Sequence, residues 1–268
     1  MEVSRRSLLR AGTLTGAALL GIGGTLGAQQ LEADRHRGAH GPLPYYTGPA
    51  ATIHDGRTTP PQHQDVRVVW SGPTDRPRIA LTFDDGPMPD WTPQVLTALA
   101  ECDVPATFFL RGDHVTAHAD LLAPYAGRHE YANHTWDHTD LARLDYDGCA
   151  DQLVRAGHAI AQHLGTRPTL MRPPYGHIAG STLLACNDLG LTPVLWNLQM
   201  IESSFTADPD GLVGYIAANA SPGAIILAHD TGSRDRLVCI DHLTAIIGGL
   251  QDAGLELVTV SELLSPAA

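Results

Sequence analysis

The chain has 268 residues, enough for one large domain or two small ones. Apolar residues make up 43% of it, too many for a disordered chain. All 17 basic residues are arginine, none of them clusters into a long basic run, and the formal charge is −12; that excludes a surface built to neutralise a phosphate backbone, so no nucleic-acid partner is expected.

In chain order, Ser4-Arg5-Arg6-Ser7-Leu8-Leu9-Arg10 precedes an uncharged, glycine-bearing stretch from Ala11 to Ala28. Paired arginines before a weakly apolar segment, shorter than the ~20 residues a spanning helix needs, resemble a twin-arginine export signal. Residues 1–28 are therefore expected to direct export. That makes the protein extracellular or cell-wall associated, or membrane-anchored if the signal stays attached. Removing them takes away Arg5, Arg6, Arg10 and Glu2 and leaves a formal charge of −14. Residues 29–64 carry Gly41-Pro42, Pro44, Gly48-Pro49 and Pro60-Pro61, show neither helical nor strand periodicity, and read as a linker.

From about residue 65 to the end the pattern is regular. Val66–Trp70 and Arg78–Phe83 are expected strands. Thr92-Pro93 is a helix start, with Thr92 as N-cap, and the helix runs to Cys102. Ala106–Leu110 is a buried strand, His114–Ala126 a helix and Glu130–Ala132 a short strand. Asp147–Leu164 is a long helix stopped by Gly165. Then come strand 170–172, helix 181–189, strand 192–196, helix 208–218, strand 224–228, helix 236–253 and strand 255–258. Strands alternating with helices of ten residues or more imply parallel βα units, either a barrel or a doubly wound sheet, with function at the carboxyl ends of the strands. The four cysteines (Cys102, Cys149, Cys186, Cys239) form no CxxC and fall in helix-like segments, so buried thiols are expected in preference to two disulfides.

Polar clusters sit at four of those strand ends. Asp84-Asp85-Gly86-Pro87 follows the strand at 78–83; these are also ordinary turn residues, but adjacent carboxylates at a barrel mouth repel, and a cation beside one of them removes that cost. With 14 histidines, about 0.7 H-x-x-x-H pairs arise by chance. There are three. His36/His40 lies in the linker, His114/His118 falls in an amphipathic helix and is expected to face solvent, and His134/His138 follows a short strand at the same mouth as the two aspartates. Two imidazoles and one carboxylate make a three-ligand site with open positions, as in catalytic zinc centres. Arg172-Pro173-Pro174-Tyr175-Gly176 ends a third strand, and an arginine there can clamp a carboxylate. His229-Asp230 ends a fourth.

Thr82-Phe83-Asp84-Asp85-Gly86-Pro87, Asn133-His134-Thr135-Trp136-Asp137-His138, Arg172-Pro173-Pro174-Tyr175-Gly176 and Leu227-Ala228-His229-Asp230 resemble, in order and spacing, the polysaccharide deacetylases: the NodB-homology proteins, carbohydrate esterase family four. The resemblance covers about residues 76–264 and implies a distorted (β/α) barrel of about seven strands over 65–268. It implies a metal-dependent hydrolase that removes acetyl groups from an N-acetylated glycan, such as a chitin-type oligomer or peptidoglycan; the protein is expected to be a monomer. By position, Asp84 matches the general base and Asp85, His134 and His138 the ligands of one divalent ion, expected to be zinc. Arg172 matches the residue that orients the base, and Tyr175 the one whose backbone N–H faces the oxyanion. Leu227 matches a wall of the acetyl pocket and His229 the general acid.

One run departs from the family. Where W-x-x-D-x-x-D-W is usual, this chain has Trp196-Asn197-Leu198-Gln199-Met200-Ile201-Glu202-Ser203. The aspartate that supports the acid histidine becomes Gln199, the second becomes Glu202 and the tryptophan becomes Ser203; Glu202 or Asp230 remains as a substitute carboxylate. Three other readings stand beside the first: an O-acetyl esterase on a xylan-type glycan, a weakly active glycan-binding protein, and a non-haem iron oxygenase with the same ligand types on a different class of fold.

Overall fold

The computed structural model describes residues 66–266 and two short segments, 52–54 and 57–59. The arginine pair, His36/His40 and most of the linker lie outside the described residues. Within the linker, Thr52–His54 (β1) pairs antiparallel with Arg57–Thr59 (β2), which corrects the expectation of a stretch without strands. The signal was in the sequence: β-branched residues flank Asp55-Gly56, a dipeptide typical of hairpin loops.

The main sheet is parallel throughout. Its strands are β3 (Arg78–Asp84), β4 (Thr107–Leu110), β5 (Glu130–Asn133), β6 (Leu170–Met171), β7 (Thr192–Pro193), β8 (Leu198–Gln199) and β9 (Ile225–His229), in the order β7-β6-β5-β4-β3-β9-β8. β10 (Glu256–Leu257) adds to the start of β3. β7 and β8 belong to one extended segment. Its first half pairs with β6 and its second half with β9, so residues 192–199 touch both ends of the sheet and curl it into a distorted barrel. The expected single strand 192–196 is thus two short ones, and the expected strand 66–70 is a single bridge between Val69 and Val194.

Alternation along β3 sets up the interior. Ile79, Leu81 and Phe83 join the layer packed under the helices, together with Val95, Leu96 and Leu99 of α1 (Thr92–Glu101). Ala80 joins Phe109, Ala132, Leu170, Val194 and Ile225 in a second, inner cluster. With a period of two, Thr82 and Asp84 follow Ala80 onto the inner face. The second cluster is sealed by Val260 and Leu263 of α8 (Val260–Leu264).

Helix boundaries follow local chemistry. Asp145 caps α3 (Tyr146–Leu164) by accepting from Gly148 N at 2.9 Å, and Gly165 ends it at φ 70°, a conformation glycine adopts without steric cost. The expected helix 114–126 is shorter. α2 covers Gly112–His118, and two single 3-10 turns follow, the second containing Pro124, which has no N–H to continue a helix. The expected helix 236–253 is broken at His242 into α6 (Leu237–Asp241) and α7 (Leu243–Asp252). There the His242 ring Nδ1 takes the Val238 carbonyl, at 3.0 Å, that its own N–H would have used. α4 (Gly180–Leu189) and α5 (Pro209–Asn219) lie close to expectation. All four cysteines are free thiols, three of them buried. Among the described residues no helix is long and apolar enough to cross a membrane.

Acid sensitivity has an identifiable source in this core. His129 is buried, accepts from Ala106 N through Nδ1 at 3.3 Å, and packs edge-on against Phe108. Burial, with help from the Arg128 charge, lowers its pKa to about 4. Unfolded, the ring binds a proton near pH ~6.5. Between these values the unfolded state holds the extra proton, so stability falls as pH drops from 6.5 towards 4. His129→Gln is expected to flatten that part of a urea-midpoint-against-pH curve; parallel curves for wild type and variant would contradict this.

Candidate active site

Asp84, the last residue of β3, is buried and aligned with His229 at the end of β9. Arg172, just beyond β6, is fully buried inside the barrel. Its Nη1 donates to Asp84 Oδ1 at 2.7 Å and to Thr82 Oγ1 at 2.8 Å, its Nε to the Val194 carbonyl at 3.1 Å and its Nη2 to the Leu195 carbonyl at 3.2 Å. The guanidinium also stacks 4.0 Å over Phe109. A buried charge satisfied on every side in this way orients Asp84 rigidly and leaves Oδ2 for other chemistry.

Asp85 leaves the strand at φ 79°, which turns its carboxylate toward the loop after β5. That loop is held by side chains. Asn133 Oδ1 accepts from Thr135 N at 2.8 Å, and Gln152 Oε1 from Trp136 N at 2.9 Å, while Thr135 and His138 adopt φ values of 68° and 66°. The result brings His134 Nε2 within 3.5 Å and His138 Nε2 within 3.3 Å of Asp85 Oδ1. His134 Nδ1 donates to the Arg172 carbonyl at 2.7 Å, so Nε2 carries the lone pair in the neutral ring. Lone pairs on a carboxylate and an imidazole do not face one another across 3.5 Å without a proton or a cation between them.

Electrostatics reflect that crowding. Burial would raise the Asp85 carboxyl, but the close approach of His134, with the charges of His229 and His138, holds it well below the ordinary carboxylate range. Burial would lower His134, and the neighbouring Asp84 and Asp85 raise it instead. His138 is pushed down to about 4 by burial and the His134 charge. Asp85 Oδ1 is buried and accepts no hydrogen bond. Asp85, His134 and His138 together offer three ligand atoms within 4.8 Å of one another, a donor set of two nitrogens and one oxygen that fits a divalent ion such as zinc.

Of the other expected residues, Tyr175 and His229 lie beside this point, and Leu227 lies two residues before His229 on β9. Tyr175, at φ 61°, places its half-exposed ring 4.7 Å from His138. Leu227 is buried in register with Thr82, two residues before His229. His229 is pushed down to about 3 by burial and by Arg236, and its Nδ1 is buried without a partner. Neither Glu202 nor Asp230 hydrogen-bonds that Nδ1. Asp230 instead accepts from Thr92 Oγ1 at 2.6 Å. Thr92 therefore does not cap α1 as expected; Trp91 occupies the cap, and the Thr92 hydroxyl serves the buried Asp230 carboxyl and accepts from Met88 N. Gln199 is exposed.

Two residues join the site without any sequence signal. His114, expected to face solvent, is half-buried and donates from Nδ1 to the Asp85 carbonyl at 2.7 Å. Arg236 reaches Asp85 Oδ2 at 3.0 Å.

A parallel, distorted (β/α) barrel whose carboxyl end brings together a carboxylate and two imidazoles offers a donor set for a divalent ion at the end of the sheet where such folds carry their active sites. The family model for polysaccharide deacetylases matches residues 71–194. The chain is 34% identical over 200 residues to a peptidoglycan-N-acetylglucosamine deacetylase of Bacillus cereus, covering 74% of this chain and 92% of that protein. It is 36% identical over 200 residues to a chitooligosaccharide deacetylase of Rhizobium leguminosarum bv. trifolii, covering 70% and 91%. The crystal structure of the Bc1960 peptidoglycan N-acetylglucosamine deacetylase superposes with a TM-score of 0.70 at 29% identity, covering 75% of this chain and 94% of that one. The chain belongs to the polysaccharide deacetylase family.

Proposed function

We propose that the protein is a metal-dependent glycan deacetylase that hydrolyses acetyl groups from an N-acetylated polysaccharide or oligosaccharide. The convergence of Asp85 Oδ1, His134 Nε2 and His138 Nε2 beside the Arg172-bound Asp84 carries this reading. Family membership and the names of the relatives support it. Asp85, His134 and His138 would hold one divalent ion, taken here as zinc; when bound it supplies polarisation of the acetyl carbonyl and acidification of water. Asp84, fixed through Oδ1 by Arg172, accepts the proton of the attacking water at Oδ2. The Tyr175 backbone N–H donates to the oxyanion that develops. Leu227 walls the methyl pocket. His229 delivers a proton to the sugar nitrogen as the carbon–nitrogen bond breaks, leaving acetate and a free amino sugar. The arginine pair at Arg5-Arg6 supports an exported enzyme acting at or outside the cell wall.

Acetate release from N-acetylglucosamine oligomers, peptidoglycan and acetylxylan tests the proposal. Release from at least one N-acetylated glycan is expected. Bound metal with no acetate from any of the three would leave the protein a glycan binder.

One observation favours O-acetyl esters as a second substrate class: the His229 Nδ1 has no carboxylate partner, and Gln199 supplies none. A carboxylate there would favour the protonated ring and raise its pKa. His229 acts as an acid only while protonated, so activity falls as pH rises through its pKa, and an amine leaving group suffers more than an alcohol. Gln199→Asp is expected to move the basic limb of the pH–rate profile upward by on the order of one pH unit. It should also raise amide turnover relative to ester turnover. Superimposable basic limbs would show that position 199 does not border the acid.

A further inference from the structure

Asp85 has two carboxylate oxygens and only one faces the imidazoles. Oδ1 is buried, accepts no hydrogen bond and lies between His134 and His138. Oδ2 accepts from Arg236 Nη1 at 3.0 Å. The same Nη1 donates to the Thr231 carbonyl, which ties the guanidinium to its own loop. Arg236 ends the 3-10 turn Arg234–Arg236, immediately before α6. Its approach needs room at Gly232, where φ is 113° and an added Cβ would fall on the guanidinium. The two side chains are 22% and 14% exposed, so water screens the pair only in part. The main chain of Asp85 is anchored separately, through its carbonyl, by His114.

We propose that Arg236 is a positioning residue for the metal site: by holding Oδ2 of Asp85 it presents Oδ1 alone to the ion. The inference rests on the metal reading above. With Oδ2 released, the carboxylate rotates about its last bond, and it either loses its aim or turns both oxygens to the ion. A guanidinium on the outer oxygen also withdraws negative charge, which opposes binding. The withdrawal is screened at the partly exposed pair, whereas the loss of aim acts directly on a ligand bond, so orientation dominates. Partners of metal ligands are typically worth about 10–100-fold in metal affinity.

The test is zinc affinity of the full chain, measured by competition with a chromophoric chelator, together with the visible spectrum of the cobalt-substituted protein. Arg236→Met is expected to weaken zinc about tenfold or more and to change the cobalt spectrum. Arg236→Lys, which restores a cation and one N–H at Oδ2, should recover most of both. The unfolding midpoints of the metal-free proteins report any loss of fold separately. Unchanged or tighter zinc binding with an unchanged spectrum in Arg236→Met would overturn the inference. So would a loss of affinity that Arg236→Lys does not recover, since that is the mark of a purely structural role. Failure of the wild type to take up zinc would overturn the metal reading and this inference together, whereas uptake unaffected by Arg236→Met overturns only the inference.

Discussion

Asp85→Ala is expected to abolish zinc binding and acetate release together. The substitution removes the one oxygen among the three converging ligand atoms and leaves the two imidazoles, whose Nε2 atoms both approach Asp85 Oδ1, while Asp84 Oδ2 lies farther off, at 3.8 Å from His134 Nε2 alone. It also removes the one negatively charged donor of the set, leaving two neutral imidazoles with less attraction for a divalent cation. His134→Ala and His138→Ala should behave similarly, with His134 the more severe: its Nδ1 bond to the Arg172 carbonyl joins the metal side of the site to the base side. His36→Ala should leave zinc and activity unchanged. Metal content by elemental analysis and acetate release on the same preparations check this. Stoichiometric zinc in the double variant His134→Ala, His138→Ala would place the ion elsewhere.

Asp84→Asn is expected to keep zinc while turnover falls ~10²-fold or more, the usual scale for a lost general base. The amide retains the shape of the carboxylate and can still accept from Arg172 Nη1, so the ligand residues next door need not move. What is lost is the capacity to take a proton at Oδ2. Arg172→Ala is a harsher change. It strips Asp84 of the buried counter-charge at 2.7 Å, unpairs the Val194 and Leu195 carbonyls and empties the space above Phe109. Breaking one side of a buried pair costs about 3–5 kcal/mol, so this variant should show a depressed unfolding midpoint as well as low activity. Loss of zinc in Asp84→Asn would mean that the two aspartates have exchanged roles.

Much of the site was legible because it lies in short contiguous runs at strand ends. Asp84 and Asp85 follow a strand whose alternation puts Thr82 and Asp84 on one face, and His134 and His138 follow another strand at the matching height. The parallel sheet was legible from the regular exchange of short apolar runs and longer helices. Arg236 was not, because its partner is 151 residues away and its own segment reads as the start of a helix. His114 was hidden for the same reason: its helical spacing with His118 suggests a solvent-facing stripe, and only the approach of the 85–87 turn gives its ring a partner. Thr92 satisfies every local rule for an N-cap, yet a buried carboxyl at Asp230, whose pKa burial raises to about 7, takes its hydroxyl. In each case a tertiary contact overrides a sound local preference.

On the proposed reading, one ion at Asp85, His134 and His138 makes this barrel a deacetylase. Titrating zinc into chelator-stripped protein while following acetate release from N-acetylglucosamine oligomers tests it most directly. No release is expected without metal, followed by a linear rise that breaks at one zinc per chain, with Asp84→Asn binding the same single ion and staying near the baseline. Acetate release at full rate from the stripped protein, or a break at one zinc that persists after Asp85 is replaced by alanine, would contradict it.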